Sequence, residues 1–207
     1  MDVARAAFIT LHGIDGSGKS EAVGGIVQHF ALKGLSVINY DLYKVHDPNN
    51  PFEHIKGKVE KTASPPAQFV FYVASMIYHS HVIRELLSKG NIVVRSRYIQ
   101  DVLAQYLYKG VQNVQEIVKL ASILEPDLSV ILTVDEEIRR QRIVQRGEIN
   151  DKDREEKNPA SRLAFFEKHL LASATSRSFI INTSLLSIEQ VVETITLEIE
   201  MRSIVEA

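Results

Sequence analysis

Gly13-Ile14-Asp15-Gly16-Ser17-Gly18-Lys19-Ser20 fits the pattern G-x-x-x-x-G-K-[ST], the phosphate-binding loop or Walker A motif. The chemistry needs these residue types at this spacing. Glycines let the backbone curl so that successive N–H groups point inward at phosphate oxygens. Lys19 then reaches the β- and γ-phosphates, the Ser20 hydroxyl ligates Mg²⁺, and the helix that opens here adds the positive end of its dipole. The context agrees. Ala6-Ala7-Phe8-Ile9-Thr10-Leu11 is a short apolar run suited to a strand, and Ala22, Val23, Ile26, Val27 and Phe30 recur at helical spacing before the Lys33-Gly34 stop.

Outward from the loop, strand and helix patterns alternate. Leu35 to Asp41 reads as a second strand ending in an acidic residue. Residues 48–66 are polar and punctuated by proline, with one short helix from Phe52 to Lys61. A long helix runs from Ala67 to Ser88, followed by a third strand from Asn91 to Arg95. Helical patterns follow at Gln100 to Tyr108 and Val114 to Leu124, then a fourth strand at Leu128 to Val134. A basic helix spans Glu136 to Arg146, and residues 147–158 are highly charged and without period. Ala160 to Ala172 reads as helix, Ser178 to Asn182 as a fifth strand, and Ile188 to Val205 as a closing amphipathic helix. Apolar strands alternating with helices imply an α/β fold with a parallel sheet covered on both faces. In such sheets ligands sit at the carboxyl ends of the strands, where the loop, Asp41, the Arg95 to Tyr98 segment and the end of strand four are expected to converge.

Composition sets bounds. A chain of 207 residues with 45% apolar and 24% charged content is expected to form a single domain over 1–207. A net charge of −2 argues against general binding to nucleic acid or a membrane surface. The chain has no cysteine, which excludes disulfides and thiolate metal sites. The acidic start at Asp2 and the lack of a long apolar run predict neither a leader peptide nor a membrane span, hence a cytoplasmic protein. His79 and His81, two apart on a predicted helix, face different ways and do not form a metal pair.

With these elements placed, the chain resembles the thymidylate kinase family of P-loop nucleotide kinases. The likeness rests on Phe8 to Ser20, on Phe71 to Ser96 with Ile83, Arg84, Leu87 and Gly90 at family spacing, and on Ser96-Arg97-Tyr98. It continues through Pro126-Asp127-Leu128, Glu137, Arg142, Arg146-Gly147 and Phe165-Phe166. The resemblance implies a three-layer P-loop NTPase fold with a five-stranded parallel sheet flanked by helices, and a small lid at about 140–160. It also implies ATP with Mg²⁺ as donor, a small-molecule nucleotide acceptor, dTMP by the family's habit, and a homodimer. Three positions depart from the family. Ser96 stands where the family has an aspartate that helps organise Mg²⁺ and the reacting phosphates. Tyr40-Asp41-Leu42-Tyr43-Lys44 replaces a stretch whose arginine grips the acceptor phosphate, and Ser75 replaces the arginine that reads thymine.

The expected site follows. Gly13, Ile14, Asp15, Gly16, Ser17, Gly18, Lys19 and Ser20 hold the donor phosphates, with Ser20 on the metal and Asp15 approaching the acceptor sugar by family likeness. Arg97, at the end of strand three, faces the acceptor. Arg139, Arg142 and Arg146 share one helix face by their spacing and, with Arg154, bring positive charge to the transferring phosphoryl group. Thr183-Ser184 borders the adenine by similarity. Arg95 has no single expected role, and Phe69, Phe71, Tyr72, Tyr78 and Tyr98 serve either as core or as a base-stacking wall. Asp41 occupies the place where related deoxynucleoside kinases carry a general base. Two other readings therefore stay open: a nucleoside or small-hydroxyl kinase with Asp41 as base, and a nucleotide-binding regulatory module of weak activity. No Asn-Lys-x-Asp sequence occurs, which disfavours a GTPase switch.

Overall fold

Seven consecutive buried residues, Ala7–Gly13, form strand β1 at the middle of the sheet. In this computed structural model, residues 6–147, 159–202 and 204 are described. Around β1 stand β2 (Val37–Asn39), β3 (Ile92–Ser96), β4 (Leu128–Thr133) and β5 (Ser178–Asn182), in the order β2-β3-β1-β4-β5. Every pairing is parallel, with Leu11 opposite Ser96 on one side and Val130 on the other. The five-stranded parallel sheet expected from the sequence is what forms.

Both faces are covered. On one, α1 (Lys19–Leu32) and a helix at Ile188–Met201 pack Ile26, Phe30, Ile195 and Ile199 onto Ile9, Leu11, Val94 and Val130. On the other, α4 (Pro65–Ser88) and α5 (Ile99–Tyr108) pack Met76, Ile83 and Ile99 onto Phe8 and Val93. Alternate residues of one strand thus serve opposite cores, so the strands read as continuous apolar runs. Among the described residues the remaining helices are α2 (Tyr40–His46), α3 (Pro51–Thr62), α6 (Val114–Leu120), α7 (Glu136–Arg146) and α8 (Pro159–Ala172), which makes Ile188–Met201 α9.

Several boundaries differ from expectation, among them that of the closing helix, which ends at Met201. The second strand stops at Asn39, because the Asn39 side chain accepts N–H bonds from Asp41 and Leu42 at 3.1 and 3.4 Å and so caps a helix. Asp41 therefore sits in the first turn of α2, not at a strand end. The sixth helix ends at Leu120, short of Leu124, where Ser122 takes φ 46 in the left-handed region.

Candidate active site

The loop sits at the carboxyl end of β1, between β3 and β4. Gly13 has φ 147, and a Cβ there would lie 2.5 Å from the Leu132 carbonyl oxygen, so only glycine lets β1 and β4 approach this closely. Gly16, at φ 86, would place a Cβ 2.8 Å from Cγ of Arg139. Gly18 caps α1 with φ 89. Together these turns wrap Ile14 to Gly18 around the start of α1, and the Ser17 N–H closes on the Ile14 carbonyl at 3.2 Å.

Lys19 lies back across this curl, its Nζ donating to the Ile14 carbonyl at 2.7 Å. Burial, reinforced by the Arg97 charge, pushes its pKa down to about 8, against the pull of Asp15, Asp101 and Glu21. Ser17 Oγ is buried without a hydrogen-bond partner among the described residues. A cation short of counter-charge and an unsatisfied hydroxyl in a glycine-turned loop are the donor set that fits phosphate oxygens. Ser20 is exposed on the first turn of α1. No group of three or more histidines, aspartates or glutamates is placed to hold a metal among the described residues. A Mg²⁺ ion here fits the Ser20 hydroxyl together with phosphate oxygens, not a protein cage.

Arg97 takes φ 59, and its N–H donates to the Leu11 carbonyl at 2.8 Å, extending the sheet by one bond. Its guanidinium pairs with Asp15 across the loop. Burial raises the Asp15 pKa, but the charges of Arg97 and Lys19 more than reverse this and leave it below the usual carboxylate value. The loop and the end of β3 are thus joined, as the sequence led us to expect.

Asp41 reaches the same place from α2. Its Oδ2 accepts the Ser96 N–H at 2.6 Å and its Oδ1 accepts from Lys44 Nζ at 3.1 Å. Arg95, 3% exposed, lies between two tyrosines, with its Cζ 5.3 Å from the Tyr40 ring centre and 5.0 Å from that of Tyr98. The Tyr40 hydroxyl bonds His79 Nδ1 at 2.8 Å. Burial, with Arg95 and Lys44 nearby, pushes the His79 pKa down to about 2, so the ring stays neutral.

On the donor side, Arg142 bonds the Gly16 carbonyl at 3.3 Å and the Thr183 hydroxyl and carbonyl at 3.0 and 2.7 Å. A cavity of about 300 Å³ opens beside it, lined in part by Ser17, Gly18, Gln145, Thr183 and Ile188. Arg142 is therefore held at the wall of this cavity by Thr183 and the loop. Ser184 instead accepts the Asp135 N–H at 2.8 Å. Arg139 and Arg140 both pair with Glu136, whose pKa they hold at about 2 by hydrogen bonding. Arg146 ends α7, and Arg154 with the centre of the expected lid lies outside the described residues.

The aromatic residues divide. Phe69 and Tyr98 are buried core side chains, at 1% and 0% exposure. Phe71 and Tyr78 are half-buried and meet Phe52 at ring distances of 5.5 and 5.7 Å. Ser75 is buried on α4. One pair was missed from the sequence. His12 Nδ1 meets Asp101 Oδ2 at 2.5 Å, and the same carboxylate accepts the Tyr98 N–H at 3.0 Å. The available signal was an aspartate three residues past Tyr98, in a position to cap α5.

Against known proteins, the thymidylate kinase family pattern matches residues 11–195. Thymidylate kinase of Idiomarina loihiensis is 28% identical over 204 residues, 88% of this chain and 93% of that protein. Thymidylate kinase of Caldicellulosiruptor saccharolyticus is 31% identical over 72% of this chain and 74% of its own length. That of Staphylococcus epidermidis is 30% identical over 79% of each. Among solved structures, thymidylate kinase from Candida albicans superposes with a TM-score of 0.71 at 22% identity, over 97% of this chain and 94% of that one. With its five-stranded parallel sheet, its Walker A loop and a match spanning nearly all its length, the chain belongs to the thymidylate kinase family.

Proposed function

We propose that this chain moves the γ-phosphate of ATP to a nucleoside monophosphate, converting dTMP to dTDP. The observation that carries the reading is the meeting of Lys19, Asp15 and Arg97 at one strand-end crevice. Phosphoryl transfer needs charge neutralisation and positioning more than covalent chemistry. In this reading the loop amides and Lys19 would take the β- and γ-phosphates, and the Ser20 hydroxyl would hold a Mg²⁺ ion that adds to the charge neutralisation there. Arg97 faces the acceptor phosphate, while Arg142 and Thr183 border the donor nucleoside. Arg146 belongs to the lid that closes over the phosphates.

Asp41 commits an oxygen to the Ser96 N–H and the other to Lys44. Those bonds suit a fixed negative charge that orients cations beside the acceptor, and they favour a phosphate acceptor over a hydroxyl one. A dimer and a cytoplasmic location accompany this reading, as is the habit of the family. No helix among the described residues is long and apolar enough to cross a membrane.

The test is a panel of nucleoside monophosphates, nucleosides and small alcohols incubated with the purified protein and ATP–Mg²⁺. Transfer to dTMP supports the reading. Transfer confined to hydroxyl acceptors would replace it with an Asp41-dependent nucleoside kinase, and ATP binding without any transfer would leave a regulatory module. Light scattering of the same preparation checks the dimer.

A further inference from the structure

Arg95 is a buried charge to which phosphoryl transfer, as described above, assigns no task. It is 3% exposed, flanked by the rings of Tyr40 and Tyr98. Its Nε donates to the Arg97 carbonyl at 3.0 Å, and its Nη1 is buried with no hydrogen-bond partner among the described residues. Burial lowers its pKa, and Asp41 is the charge that most opposes this. A guanidinium removed from water with an unsatisfied N–H weakens the folded state relative to an apolar side chain of the same length. Stability alone gives no reason for an arginine at this position.

The geometry gives one. Arg97 is held at φ 59, a region that non-glycine residues seldom occupy. Two bonds hold its backbone there: its own N–H to the Leu11 carbonyl, and its carbonyl to Arg95 Nε. From that conformation its side chain reaches Asp15 of the phosphate loop. Arg95 also attracts Asp41, which accepts the N–H of Ser96 between the two arginines. One buried guanidinium thus bears on both groups that flank the acceptor side of the crevice. Tyr40 and Tyr98 fix its plane, and Tyr40 is anchored to His79.

We propose that Arg95 is a positioning residue for the acceptor: its Nε bond and its charge hold Arg97 and Asp41 where they meet an incoming nucleoside monophosphate. The proposal rests on the acceptor reading given above. It contrasts with a purely structural role, in which Arg95 would support donor and acceptor functions alike.

Arg95→Met and Arg95→Lys in the full chain test it, through four measurements. These are kinetics with the acceptor that the wild type uses best, ATP affinity by calorimetry, unfolding without nucleotide, and ¹⁵N signals of the Arg97 side chain, assigned with Arg97→Lys. For Arg95→Met we expect unfolding at or above the wild-type midpoint and ATP affinity within about twofold. Acceptor kcat/KM should fall by about 100-fold, the scale of an ångström-sized misplacement. The Arg97 Nε–H signal should shift or broaden. Arg95→Lys should recover little, because lysine lacks the planar fork that sits between two rings while donating to a carbonyl.

Unchanged acceptor kinetics in Arg95→Met, or full recovery in Arg95→Lys, would overturn the proposal. So would a parallel loss of ATP affinity and stability. Should the wild type transfer to no nucleoside monophosphate, the acceptor reading fails on its own. The Arg97 signal then decides this proposal, which an unmoved resonance in Arg95→Met overturns.

Discussion

Replacing Lys19 by methionine should make the nucleotide-free protein more stable while abolishing phosphoryl transfer. The Lys19 side chain is buried, and its pKa lies at about 8 against an ordinary 10.5. The ammonium is therefore less favourable in the folded chain than in the unfolded one, by about 3 kcal/mol at pH 7. One interaction opposes this. The charged bond from Nζ to the Ile14 carbonyl, at 2.7 Å, contributes about 1.5 kcal/mol. The net expectation for Lys19→Met is a gain of about 1–2 kcal/mol at pH 7. The sign with pH follows from proton counting. Below about 8 both states carry the proton and the destabilisation is fully present. Between about 8 and 10.5 only the unfolded chain keeps it, so stability rises with pH across that window. Other groups titrate there too, so the informative quantity is wild type minus variant. Urea unfolding at pH 7 and pH 10 without nucleotide, beside a transfer assay with ATP–Mg²⁺, measures it. The variant should be the more stable protein at pH 7 and lose that advantage at pH 10. A variant less stable than wild type at pH 7, a difference that ignores pH, or surviving turnover would refute the reasoning.

Three further outcomes can be checked with the same assays. Asp101→Asn should cost about 1–3 kcal/mol at pH 7, because it weakens the buried hydrogen bonds that His12 Nδ1 and the Tyr98 N–H make to this carboxylate. The Asp101 pKa is raised by burial but carried below its usual 3.8 mainly by His12, so the loss should shrink only as pH falls below that value. Gly16→Ala should weaken ATP binding and cost about 1–2 kcal/mol, since it combines φ 86 with a Cβ 2.8 Å from Arg139 Cγ. Unfolding and calorimetry report both. Arg142→Ala should raise the KM for ATP about tenfold and leave the KM for the acceptor unchanged, the reverse of the pattern expected for Arg95→Met.

The donor half of the site was legible because its parts are contiguous. Strand, loop and helix follow one another in Ala7 to Leu32, and the motif sets both the turns and the lysine. The acceptor half is assembled from separate elements, and periodicity does not report their contacts. Asp41 illustrates the difficulty. The run Leu35 to Asp41 looks like a strand, yet Asn39 caps a helix two residues earlier than that reading allows. The cap is visible in hindsight as asparagine followed by an acid in the first turn, but asparagine before β-prone tyrosine fits a strand end equally well. Arg95 was ambiguous for a related reason. Alternation puts it on the α4 side with Val93, but nothing local shows that Tyr40 and Tyr98 close around it.

Position 15 is where the two halves meet. The Walker A pattern leaves this residue unspecified, so the motif itself assigns it no task. In this fold its carboxylate interacts with the charges of Lys19, which the proposed function gives to the donor, and Arg97, which it gives to the acceptor. A triphosphate brought against Lys19 adds negative charge beside Asp15 and strengthens the demand on Arg97 from the donor side. An acceptor phosphate would draw the same guanidinium the other way. On the proposed function the pairing would rearrange when both substrates are present, and the left-handed turn at Arg97, pinned by Leu11 and Arg95, leaves the side chain as the part to move. Arg97 is exposed along that side chain while its backbone anchors are buried, the distribution that a cation shared between two phosphates requires.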